Sequence, residues 1–235
     1  MKKIILAVGA HPDDIDIRCA GAIAKWIQEG ATAYYLILTD GSKGSEDPKI
    51  SNQELTKLRH SEQQNSADLL GVKKVFFLDF IDGELENTHK LRKEIVKIIR
   101  QVKPTTVLTW DPTIIYDEKR QSVIHPDHRV AGQATLDSVF PFARNARTYM
   151  DLLEEGLKPH IVDDILLFNH IKPNYFVDIT KTIDLKLQAL GKHISQFRDM
   201  KKFQERIKLI DQELGKKIKV KYAEAYLRIQ LRQPS

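Results

Sequence analysis

Four short apolar runs rich in β-branched and aromatic residues, at 4–8, 34–38, 74–78 and 105–110, alternate with three longer segments of helical spacing. That order leaves few folds open. The segments at 21–29, 53–70 and 90–102 read as helices: Ile23, Trp26 and Ile27 share one face of the first, and Leu91, Ile95, Ile98 and Val102 one face of the third. Gly30 and Gly71 follow the first two, where a left-handed residue ends a helix. A βαβαβαβ series predicts an α/β fold, a Rossmann-like, mostly parallel sheet with helices on both faces. After Trp110 the pattern loosens. A long loop to Ile124 precedes a helix over 128–140, short strands near 164–168 and 175–177, and two closing helices at 183–214 and 222–230. With no linker and no internal repeat, 1–235 reads as one domain with a C-terminal elaboration.

Two histidine–carboxylate motifs sit beyond strand ends: His11-Pro12-Asp13-Asp14 after the first strand, and His125-Pro126-Asp127-His128 after the loop that follows the fourth. Ligands of open α/β sheets bind at the carboxyl ends of the strands, where the strand order reverses, and strands one and four commonly flank that reversal. Two distant segments can thus share one crevice. A catalytic zinc takes three protein ligands and keeps one position for water. His11 and Asp14 can be aimed at one point by a tight turn, His128 supplies a third ligand, and Asp13 is left free beside them to accept a proton. Pro12 and Pro126 stiffen both turns. The same donors accept iron(II). Either motif alone has a plain structural reading, since Asp14 or Asp16 can cap the first helix. Both together, on one inferred sheet edge, point to a site.

Composition narrows the rest. No apolar run reaches the ~18 residues of a membrane span. The N-terminal apolar run at 4–10 is too short for an export signal, and the single cysteine, Cys19, permits no internal disulfide; a cytoplasmic setting is expected. Net charge is +5, but the basic clusters Lys201-Lys202 and Lys216 to Lys219 lack interleaved aromatics, so no nucleic-acid partner is expected.

The motifs resemble those of the PIG-L/LmbE-like de-N-acetylases, which carry AHPDD after the first strand and HPDH later; here these are Ala10 to Asp14 and His125 to His128. The resemblance extends through Leu38-Thr39-Asp40-Gly41 with Gly44, Arg59 and Glu62, Leu70-Gly71-Val72, Asp82-Gly83 with Leu85, Val177 to Thr180, Lys186, His193, Ser195-Gln196 and Tyr222 to Ala225. It implies a zinc hydrolase that removes the acetyl group of an N-acetylated amino sugar or its small conjugate. It further implies His11, Asp14 and His128 as ligands, Asp13 as general base, and His125 as the charged histidine at the oxyanion. Asp127 would orient His125, Arg59 and Asp82 would contact substrate, and similar members form trimers or hexamers. The chain departs from the family at Asp16, where a longer glutamate is usual, and at Arg18 and Ala20, where glycine is common. Arg18 either narrows the pocket, attracts a substrate anion, or points to solvent.

Other classes fit less well. Adjacent carboxylates such as Asp13 and Asp14 seldom flank a glycosidic bond at ~5–9 Å. The segment after the first strand has neither a Walker lysine nor a G-x-G-x-x-G, and its carboxylates would repel phosphate. A catalytically silent metal- or ligand-binding domain, or a hydrolase of another amide, remains as the alternative.

Overall fold

The computed structural model describes residues 2–118 and 121–231. Strand β1 (Ile4–Gly9) is buried from Ile5 onward, as a strand covered on both faces must be. Helix α1 (Asp14–Gln28) begins at Asp14 rather than at 21. Its first turn carries Asp14 and Asp16, both buried, so a polar sequence masks an inward-facing turn. There follow β2 (Thr32–Thr39), α2 (Asn52–Leu70), β3 (Lys74–Phe80), α3 (His89–Val102) and β4 (Thr106–Trp110). A capping box between Ser51 and Glu54 opens α2, and Gly71 at φ 79° closes it.

The loop after β4 contains a small hairpin, β5 (Tyr116–Asp117) with β6 (Ser122–Val123). Helix α4 (Pro126–Asp137) has its proline at the first turn, where no backbone donor is missed. Then come α5 (Met150–Glu154), β7 (Asp164–Phe168), β8 (Tyr175–Asp178), α6 (Ile183–Leu190), α7 (Met200–Lys217) and β9 (Ala223–Gln230).

The main sheet runs β3-β2-β1-β4-β7-β9-β8. Strands β3, β2, β1, β4 and β7 are parallel, and β9 lies antiparallel between β7 and β8. Winding proceeds outward from β1 to β3 and resumes at β4 on the other side of β1, so the reversal falls between β1 and β4. Right-handed crossovers then put the helices in two layers: α1, α2 and α6 contact one another, as do α3 and α4.

Two expectations fail near the C-terminus. The segment 222–230 is strand β9, not a helix. Its Ala, Glu, Leu and Arg favour helix, and burial of Glu224 and Tyr226 opposite Ala223 erases the polar-out alternation that marks a strand. Pairing with two neighbours overrides local preference. The segment 183–214 is two helices, not one. Between them the chain turns inward, so that His193 reaches Asp16 and Ser195 reaches Glu62. Glu224 also reaches across: its carboxylate accepts the N–H groups of Gly21 and Ala22 at 3.0 and 2.8 Å and pairs with buried Lys186. Among the described residues no helix is long and apolar enough to cross a membrane.

Candidate metal and catalytic site

The strand reversal brings the ends of β1 and β4 together, and with them both histidine motifs. His11 follows β1, and α1 starts so soon after it that Asp14 folds back over the turn. Asp14 Oδ2 accepts the N–H groups of Ala10 and His11, each at 2.9 Å, and the indole N–H of Trp110 at 3.0 Å. Its other oxygen, Oδ1, stands 3.1 Å from His128 Nε2. Burial opposes its charge, but His128 and His11 hold the carboxyl well below the usual range.

Helix α4 delivers His128 from the far side. Gly132 permits the approach, since a Cβ there would lie 2.3 Å from the Trp110 carbonyl oxygen. The His128 ring then stacks on Trp110 at 3.8 Å with 8° between planes. His128 Nε2 lies 3.2 Å from His11 Nδ1, which is 3.7 Å from Asp14 Oδ2. Four-coordinate zinc with ligands at ~2.0–2.1 Å keeps neighbouring donors about 3.3 Å apart. The donor set and spacing of His11, Asp14 and His128 therefore suit such an ion.

The opposite edge of His11 faces carboxylates. Nε2 lies 3.1 Å from Asp82 Oδ1 and 3.3 Å from Asp127 Oδ2. That arrangement holds the ring proton on Nε2 and leaves the Nδ1 lone pair toward His128 and Asp14. Burial opposes ionisation of Asp127, but its bonds from His11 and from the Gly83 N–H keep it below the usual range. His125 is exposed, its ring 4.7 Å from that of His11. Its Nδ1 accepts the backbone N–H of Asp127 at 3.2 Å. Burial first, then the charge of His11, lowers its pKa. His11, His125 and His128 offer nitrogens within 4.8 Å of one another, and His11, Asp82, His125 and Asp127 form a second such group.

A histidine–aspartate cluster able to hold a metal, at a strand reversal, matches what comparison with known proteins finds. The GlcNAc-PI de-N-acetylase (PIG-L) family model matches residues 6–139. The chain belongs to the PIG-L de-N-acetylase family. It is 42% identical over 195 residues to diacetylchitobiose deacetylase of Thermococcus kodakarensis, covering 83% of this chain and 70% of that protein. A probable N-acetyl-alpha-D-glucosaminyl L-malate deacetylase of Bacillus anthracis is 26% identical over 205 residues, covering 83% and 82%. The solved N,N'-diacetylchitobiose deacetylase from Pyrococcus horikoshii, complexed with its inhibitor, superposes with a TM-score of 0.89 at 36% identity, over 97% of this chain and 84% of that one. The chain is thus a deacetylase of the PIG-L family with the family's Rossmann-like sheet.

Against the family pattern, the expected residues fall into two groups. His11, Asp13, Asp14, His125, Asp127 and His128 come together. Asp127, expected to orient His125, meets that ring through its backbone N–H and gives its carboxylate to His11. Arg59 and Asp82, expected at the substrate, are 3% and 4% exposed and engaged with protein. Arg59 donates to the carbonyls of Gly41 and Pro12 at 2.9 and 2.7 Å and reaches Asp13 Oδ2 at 3.4 Å. Asp82 accepts the Lys43 N–H. Burial pushes the Asp13 carboxyl above its usual range, against the pull of Arg59. Arg18 is half-buried, its guanidinium carbon 4.9 Å from the centre of the Trp110 ring, and so braces the site rather than standing free in solvent.

Three contributors escape sequence reasoning. Trp110, readable only as a core or crevice aromatic, holds Asp14 and His128 together. Gln63 and His193 are wholly buried around Asp16. One signal for Gln63 exists: Arg59, Glu62, Gln63 and Ser66, all buried, form a polar stripe at the spacing normally reserved for apolar residues. Replacing Trp110 by phenylalanine keeps the stack on His128 but deletes the indole donor. Metal affinity is expected to fall roughly 10–100-fold, measured by competition with a chromogenic chelator.

Proposed function

We propose that this deacetylase removes the acetyl group of an N-acetylated amino sugar of the N,N'-diacetylchitobiose kind, with His11, Asp14 and His128 as ligands of zinc, or of iron(II). The observation that carries the reading is the convergence of Nδ1 of His11, Nε2 of His128 and the Asp14 carboxylate at 3.1–3.7 Å, with the adjacent Asp13 carboxyl close enough to feel the charges of Asp14 and His11. When bound, the ion lowers the pKa of a water toward ~7 and polarises the amide carbonyl. Asp13 accepts the proton of the attacking water and passes it to the amine nitrogen as the carbon–nitrogen bond breaks. Its raised pKa brings it nearer the range in which a group can both take and give a proton.

His125 keeps its proton on Nε2, because Nδ1 accepts the Asp127 N–H. Its Nε2–H is then the donor available to the developing oxyanion. One such donor is typically worth about 3–4 kcal/mol. Asp127 serves both histidines, His11 through its carboxylate and His125 through its backbone. Arg59 fixes the Pro12 carbonyl and aligns Asp13, and Asp82 with Asp127 fixes the His11 tautomer.

The test is amine release from N-acetylglucosamine and N,N'-diacetylchitobiose by metal-loaded and chelator-stripped protein. Release that vanishes on stripping and returns with zinc is expected. Tight metal binding without cleavage of either compound would refute the substrate class, and failure to take up metal would refute the site.

A further inference from the structure

We propose that Gln63 is a positioning residue for this reaction, holding Asp13 in the strained backbone conformation from which its carboxylate serves as base. The inference rests on the assignment of Asp13 above.

Asp13 precedes α1 at φ 103° and ψ −32°, a region that side chains other than glycine rarely enter, and its carboxylate makes no capping bond to the helix. Left to itself, the residue would relax into helical angles, lengthen α1 and swing its carboxylate away from His11 and Asp14. Its own N–H is held from another element: Gln63 Oε1, on α2, accepts it at 2.9 Å. The orientation of the Gln63 amide is dictated in turn. Its Nε2 donates to Asp16 Oδ2 at 2.9 Å, and a carboxylate can only accept. Asp16 is fixed by His193 Nε2 at 2.7 Å and by the Tyr35 hydroxyl at 3.2 Å. A flipped amide would set donor against donor at Asp13 and acceptor against acceptor at Asp16. Gln63, Asp16, Tyr35 and His193 are all fully shielded from solvent, so water cannot stand in for a lost partner. The chain His193–Asp16–Gln63 thus ends on one backbone donor, that of the strained residue.

Gln63→Met removes the acceptor at similar volume. Expected is a fall in kcat of about 10–100-fold on N,N'-diacetylchitobiose, with KM within about twofold and metal content unchanged. The decisive readout is the same substitution made in an Asp13→Ala background, where no further loss is expected because there is no base left to position. Full turnover of Gln63→Met overturns the proposal. An equal fractional loss in the Asp13→Ala background overturns it too, since that is the mark of a merely structural role. Should Gln63→Met not fold, Gln63→Glu decides: sharing one proton with Asp16 across the bond the amide now makes, it keeps an acceptor on the Asp13 N–H and leaves the His193 contact to Asp16 in place, so turnover near that of the parent upholds the proposal and a deep loss refutes it. An Asp13→Ala protein that turns over as fast as the parent would instead strike the base assignment itself.

Discussion

Asp13→Ala is expected to bind metal as the parent does and to lose about 10²–10⁴-fold in kcat, the usual contribution of a positioned proton acceptor. The two halves of that result come from different atoms. The three donors of the proposed metal site belong to His11, Asp14 and His128, whose mutual distances do not involve the Asp13 side chain. The Asp13 carboxylate contacts Arg59 at 3.4 Å and makes no bond that holds a ligand in place. Alanine tolerates a positive φ less well than aspartate, so whatever strain the substitution adds falls on this turn and not on the three donors. Single-turnover amine release with metal analysis on the same sample checks both halves. Unchanged turnover would sink the proton-transfer role, and loss of metal would show that Asp13 belongs to the coordination set.

Asp14→Ala should be the more disruptive change, because that carboxylate has two tasks. Toward His128 it presents Oδ1 at 3.1 Å, the proposed ligand atom. Behind, Oδ2 ties together the N–H groups of Ala10 and His11 and the indole of Trp110. Alanine strands three buried donors at once, a cost of about 2–4 kcal/mol even in metal-free protein, read by denaturant unfolding. Metal affinity should fall by more than the ~100-fold that follows loss of a partner behind a ligand. Stoichiometric metal in this variant would exclude Asp14 from the site.

The core of this arrangement was legible because it depends on chain order. A motif directly after the first strand and another after the fourth must meet if the winding reverses between them, and β1 does pair with β4. What was not legible depends on single polar side chains inside the core. Gln63 sits in a helix whose sequence is mostly polar, and only its place in the stripe of Arg59, Glu62 and Ser66 separates it from exposed neighbours. His193 and Asp16 are 177 positions apart and acquire meaning only through their 2.7 Å contact. Trp110 is apolar enough to be read as packing, and its N–H gains a purpose only once Asp14 is known to lie opposite. The strand at Ala223–Gln230 was missed for the converse reason: its composition favours helix, and only the open slot between β7 and β8 decides otherwise.

That slot has a bearing on biosynthesis. The strand that fills an interior position of the sheet, β9, follows the other described strands in chain order, and it carries Glu224, which grips α1 at Gly21 and Ala22, on the same helix that begins with Asp14. A nascent chain can wind β1 to β4 and gather both histidine motifs while translation continues. The helix bearing Asp14 gains its anchor only after β9 has left the ribosome. A chain cut short near residue 220 would leave β7 with a bare edge and β8 without a neighbour. Quality control would then meet a half-closed sheet in which both histidine motifs are already present, so uptake at the proposed metal site would be a poor marker of completed folding for this enzyme.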